Sequence, residues 1–381
     1  MDLFATDSEI LQLRLQLPAL VAAEQLQTKL AIAWHIRQRD THGALALCQE
    51  IEAPALWSSL SRWEQTLCYF RLQLIRGEAK WLEADLEAAT AIVGALLRHP
   101  DIDADGAILS DTHRLMALIL SDQGRHVECD IQLAIAIDEA SKAEDFLRAK
   151  YTAVALARIA VLRDSRVARA YFDRHIDLRR EPVAANTGLS AVVYDFLGIY
   201  AGLSNRYEES RRDLGLAFEA SLQTGQIRRA ILVAANIGYT FNNMDDYPNA
   251  LLWLQKSLAL ARATGWAPSI GNCLMQIGEI LRKMGSLAAA RETLEDAMQV
   301  LAPLTGSRNY ALVVSCLADV AMDTKDYALA LGFFRQLANL PGAQEQSDLQ
   351  ALAANGEAQA LAHMSHTETI QVADATSSIH H

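Results

Sequence analysis

A forty-residue spacing constrains this chain more than any other feature. From Asn236 the sequence reads NIGYTFNNMDDYPNALLWLQKSLALA, with an apolar residue and a glycine at Ile237 and Gly238 and an aromatic at Phe241. A turn follows at Asp245, Asp246 and Tyr247, then a small residue at Ala250 and a bulky one at Leu254. Forty residues on, the same slots hold Ile277, Gly278, Leu281, the turn KMGS, Ala290 and Leu294. Forty more reach Leu317, Ala318, TKDY, Ala330 and Phe334, and forty back from Gly238 stand Leu197, Gly198, SNRY, Ser210 and Leu214. Small residues at these facing slots let two helix backbones approach closely, while the bulky residues fill the spaces between. One such pair cannot bury its apolar face, so neighbouring pairs must stack.

Earlier units are weaker. One has Ala117, the turn DQGRH, Cys129 and Leu133; another has Ile32, RDTHG, Ala44 and Cys48. Residues 63–97 and 148–180 form degenerate units whose register the pattern does not settle, and about eight units fit the chain. The pattern resembles the tetratricopeptide repeat (TPR), strongly over residues 190–340 and moderately over 28–180. The family unit is about 34 residues, so these units have lengthened helices. The family's tryptophan slot holds no Trp here, and its closing proline is mostly absent. The resemblance implies an all-α fold: a right-handed superhelical α-solenoid of antiparallel helix pairs over residues 1–343. Pro341 and Gly342 stop the last unit, residues 344–363 read as a capping helix, and 364–381 lack a helical period and are expected to fray.

Composition agrees. Apolar residues make up 51% of the 381, Gly (19) and Pro (8) are sparse, and few segments favour strands. The net charge of −12 disfavours nucleic acid and anionic membrane surfaces as partners. No uncharged apolar run approaches the ~18 residues of a membrane span, and the N-terminus MDLFATDSEI lacks a signal-peptide layout, which points to a cytoplasmic protein. Five cysteines stand singly in apolar patterns, without metal-binding or disulfide spacing, and read as buried thiols. No catalytic triad, P-loop or dinucleotide-binding glycine motif is present, so the chain reads as non-enzymatic and without a cofactor.

In the family, ligands lie on the concave face lined by the first helix of each pair. Helical spacing from the glycine slot then selects Asn236, Tyr239, Asn242 and Asn243, with Gln276, Glu279 and Arg282 one unit on and Asp195 one unit back. Amide side chains offer both a donor and an acceptor to a backbone, so an extended peptide or protein segment is the expected partner. The stretch LAIAWHIRQRDTHGALAL is also similar to the opening of repeat regions that precede GGDEF-type diguanylate cyclase domains in bacteria. This implies a second reading, the sensory region of a larger signalling enzyme whose catalytic domain is absent from this chain. A homodimer formed through an unpaired end of the array is a third.

Two charged stretches stand out. From Arg148 to Arg180 nine basic residues face only Asp164, Asp173 and Asp177, and the simplest reading is a solvated face with Arg paired to Asp across helical turns. The stretch PDIDADGAILSDTH begins like a calcium loop, with Asp101, Asp103, Asp105 and Gly106. Its twelfth position is Thr112 where a carboxylate is needed, so an inter-unit connection is expected, with Asp103 or Asp105 capping the next helix.

Overall fold

The computed structural model describes residues 1–53, 57, 58, 60–178, 186–344 and 346–377, with side chains to residue 366. The described residues form helices and short turns and no strand, and the helices pack in consecutive pairs. This is the TPR-like all-α solenoid that the repeat implies. The chain divides into two compact units, residues 1–244 and 245–381.

The first unit begins with a non-helical segment, residues 1–6, and α1 (Asp7–Gln16). Pairs follow: α2 (Ala22–Ile36) with α3 (Thr41–Ile51), α4 (Arg62–Leu82) with α5 (Leu86–Leu97), and α6 (Gly106–Asp122) with α7 (His126–Lys142). Then come α8 (Phe146–Ala160) with α9 (Ser165–His175), α10 (Thr187–Leu203) with α11 (Tyr207–Gln223), and α12 (Ile227–Asn243). One apolar core runs through the unit from Leu3 to Phe196, with the rings of Phe172 and Phe196 stacked at 4.4 Å. The second unit holds α13 (Tyr247–Thr264), α14 (Ala267–Lys283) with α15 (Leu287–Val300), α16 (Arg308–Asp323) with α17 (Tyr327–Asn339), α18 (Pro341–Gln344) and α19 (Ser347–Ser377).

The turns repeat in backbone as well as in sequence. Ala84, Gly124, Asn205, Asp245, Gly285 and Lys325 all have φ between 57° and 79°. In five of these turns the next residue donates its N–H to the carbonyl five back: Asp85 to Lys80, Arg125 to Leu120, Arg206 to Ala201, Ser286 to Leu281 and Asp326 to Ala321. That left-handed closure satisfies the carbonyls at the helix end. At Asp85 and Asp326 the same residue then opens the next helix, its carboxylate accepting from Ala88 N and Leu329 N at 3.1 Å. One short turn ends one helix and starts the next, which is why the period persists.

The glycine slot is a true close approach. A Cβ on Gly198 would stand 2.6 Å from Leu214 Cγ, and one on Gly278 would stand 2.6 Å from Leu294 Cγ, sixteen residues on in both cases. The same offset joins Gly77 to Val93, which gives residues 63–97 the register that the pattern left open: they are α4 and α5. Residues 148–178 are the pair α8 and α9, with Ala157, Ala168 and Phe172 in the core; residues 179 and 180 lie outside the described residues. At the far end α19 covers α17, with Gly356 against the ring of Phe334, and the helix continues past residue 363 to Ser377. Residues 378–381 lie outside the described residues.

Candidate ligand-binding face

In the first unit the first helices of successive pairs are joined by ion pairs that recur at nearly the repeat length. Arg37, at the C-terminal end of α2, reaches Glu78 on α4 at 2.8 Å, and Arg71 on α4 reaches Asp111 on α6 at 2.5 Å. Asp111 also receives Arg148 of α8 at 3.2 Å and lies 3.7 Å from Arg114 of its own helix. Asp195 on α10 joins Arg158 of α8 at 2.8 Å to Arg229 of α12 at 2.6 Å. Most of these groups are almost wholly buried. Burial alone would raise Asp111, but Arg148, Arg71 and Arg114 outweigh it and hold the carboxyl at about 2. Glu78 likewise is lowered against its own burial, by Arg37 and Arg114.

Charges so deep contribute little net stability, because their desolvation cancels much of their attraction. Each joins one first helix to the next at a defined pair of positions. The same face supplies aromatic surfaces: Arg37 lies 3.7 Å over the ring of Trp34, and Arg228 lies 3.6 Å over Trp81 while pairing with Asp122 at 2.7 Å.

Residues 1–6 lie on this face. Trp34 Nε1 donates to the carbonyl of Asp2 at 3.0 Å, and Arg148 Nη2 donates to that of Met1 at 2.9 Å. Leu3 and Ala5 are buried in the core of the unit. Phe4 packs on Tyr151, ring centroids 5.1 Å apart, beneath the guanidinium of Arg37 and against Gly188. Tyr151 is held from behind: its hydroxyl donates to Gln226 at 2.9 Å and accepts from Arg229 at 3.1 Å. Thr6 then caps α1, and Asp7 pairs with Arg39. Beside the segment is a cavity of about 290 Å³, walled by Asp2, Phe4, Thr6 and Glu9 on one side and by Tyr151, Asn186, Gly188 and Thr224 on the other. Helical spacing from the glycine slot did not point to this seat. The signal available was the unusual MDLFA start, apolar inside an otherwise acidic end.

The selected residues divide between the units. Asp195 is buried and committed to its two arginines. Asn236, Tyr239, Asn242 and Asn243 follow each other along α12; Asn236 is half-buried, and Tyr239 is exposed. In the second unit Gln276, Glu279 and Arg282 share α14, where Glu279 pairs with Arg282 at 2.8 Å and Arg282 reaches Asp323 on α16 at 2.7 Å. Burial pushes the nearby Asp319 carboxyl up to about 6; Arg282 acts against this shift, while Glu279 and Asp323 add to it.

The basic stretch from residue 148 is a solvated face only in part, with Arg163, Arg166 and Arg174 exposed. Arg169 does pair with Asp173 one turn away, and Arg148 with Asp145. Arg148 is only 1% exposed, however, and it, Arg158 and Arg163 reach carboxylates on other helices. In the aspartate-rich connection, Asp105 caps α6 by accepting from Ile108 N at 2.8 Å. Cys48, Cys68, Cys129 and Cys273 are buried thiols, and Cys316 is half-buried.

No family model matches the chain, and no curated protein matches it in sequence. Solved structures do match. The APC/C hetero-tetramer Cut9–Hcn1 superposes with a TM-score of 0.56 at 15% identity, over 95% of this chain and 61% of that one. A Rap protein complexed with competence and sporulation factor gives 0.52 at 14%, over 90% of this chain and 99% of that one. A signal-transduction ATPase with a tetratricopeptide repeat sensor from Pyrococcus horikoshii gives 0.50 at 14%, over 89% and 54%. At these identities the likeness is one of fold. None of the three is a diguanylate cyclase, and the expected similarity to regions preceding such domains is not shown. No helix among the described residues is long and apolar enough to cross a membrane.

Proposed function

We propose that the chain is a non-enzymatic scaffold that binds a peptide or protein segment on the face built by its first helices, in a regulatory role. One observation carries this reading: that face already holds a non-helical stretch of polypeptide. Side-chain donors, Trp34 and Arg148, engage its backbone carbonyls, and its side chains enter apolar seats. This is how a surface recognises extended chain without a strand edge: backbone contacts supply generic affinity and pockets supply specificity. Asn236, Tyr239 and Asn242 on α12 extend the surface within the first unit; Gln276, Glu279 and Arg282 offer a polar face in the second. The regulatory part is supported by two matched folds, one complexed with a factor and the other a sensor.

A fluorescence-polarisation screen of a random peptide library tests this, run on the full chain and on the full chain carrying Phe4→Ala. Binders are expected whose affinity falls at least tenfold on Trp34→Phe or Tyr239→Ala. The absence of any binder to both chains would overturn the reading.

A further inference from the structure

We infer that residues 1–7 are an internal competitor for this peptide site, and that the ligand displacing them carries the same chemistry: adjacent aliphatic and aromatic side chains, a small residue next, and a carboxylate two beyond. The inference rests on the peptide-binding reading above and adds its regulation and its ligand class.

The contacts of the segment are those of a ligand more than of a structural strap. Its hold on the unit is made of separable parts: two carbonyls on Trp34 and Arg148, Leu3 in the core, Phe4 between Tyr151 and Gly188, and Asp7 on Arg39. None of these uses a regular backbone ladder. The adjoining cavity of about 290 Å³ is walled partly by the segment and partly by the helices, so the seat is larger than its occupant fills. The helices that form the seat are also joined to one another by the ion pairs of Asp111, Glu78 and Asp195, none of which includes a residue of the segment. The seat is close at Gly188: a Cβ there would stand 3.3 Å from Phe4 Cδ2, so a side chain as large as leucine would occupy the space of the aromatic ring. An external peptide with the same features meets the same groups, and the two compete at the effective concentration of a tethered segment.

The test uses a fluorescein-labelled synthetic peptide, MDLFATDSE, in anisotropy titrations against three full-length chains. The wild type is expected to bind it at least tenfold more weakly than Leu3→Ala/Phe4→Ala, in which the internal copy is weakened. Adding Gly188→Leu to that double variant is expected to abolish binding. Equal affinity for the wild type and the double variant overturns the inference, as does no binding to a double variant whose circular dichroism is native. If the double variant does not fold, hydrogen exchange on the wild type decides: excess peptide should deprotect the amides of residues 3–6, and unchanged protection overturns the inference. Library peptides that bind the wild type and the double variant equally would leave the peptide-binding reading standing and remove only the competitor. No binding of any peptide to either removes both.

Discussion

Asp111 is the residue on which most depends, and its sequence context did not set it apart. It was one position short of a calcium ligand, yet it receives Arg71 and Arg148 and has Arg114 beside it, with its side chain fully buried. Asp111→Asn leaves those cations without their counter-charge, and unfolding free energy should fall by about 3–5 kcal/mol in urea titrations. Asp130→Asn breaks the similar but solvent-exposed pair with Arg163 and should change it by less than about 1 kcal/mol. His35 makes a pH prediction. Burial, then Arg37, lowers its pKa from 6.5 to about 4, so the folded state binds its proton less readily than the unfolded chain. Its contribution to stability is fully present above pH 6.5 and is lost as pH falls towards 4. Asp111 acts lower, its contribution being present above 3.8 and lost as pH falls through about 2. Thermal melts between pH 7 and 4 should show the His35 slope, and His35→Phe should flatten it.

At the scale of the element, turns and close approaches set the helix pairs. The left-handed slot is filled by glycine at 124 and 285 but by Ala84 and Lys325 elsewhere. A residue with a Cβ pays roughly 1–2 kcal/mol in that conformation, and glycine does not. Lys325→Gly and Ala84→Gly should each raise stability by about 0.5–1 kcal/mol, after the extra flexibility of glycine in the unfolded chain is deducted. The glycine slot predicts the reverse. Gly278→Ala places a methyl 2.6 Å from Leu294 Cγ, and the second unit should lose about 1–3 kcal/mol by differential scanning calorimetry. Over residues 190–340 both sets of positions were legible in the sequence, because each lies within one repeat and recurs in the next; Ala84 was not, because the register of residues 63–97 stayed open. The pair α8 and α9 was not; its turn has no left-handed residue.

At the scale of the molecule, the first unit is held by contacts between residues far apart in the chain. Arg228 stacks on Trp81 and pairs with Asp122, and Arg39 donates to the carbonyl of Gln223. Arg228→Met keeps the stem but removes the charge. The fluorescence of Trp81 should then shift to longer wavelength as the indole gains water, and stability should fall by about 1–3 kcal/mol in the same samples. An unshifted spectrum would mean that the stacked arginine does not shield the ring. The sequence by itself determined the helix pairs of the regular units, with their turns and small-residue slots. These are short-range, and each repeat needs only its neighbour to bury its face. Only the tertiary structure decided which charges are buried and what the first helices hold. Arg148 meets the carbonyl of Met1 across 147 residues, and Tyr151 meets Gln226 across 75. Distances of that kind follow from how the pairs stack, and no period of forty encodes them.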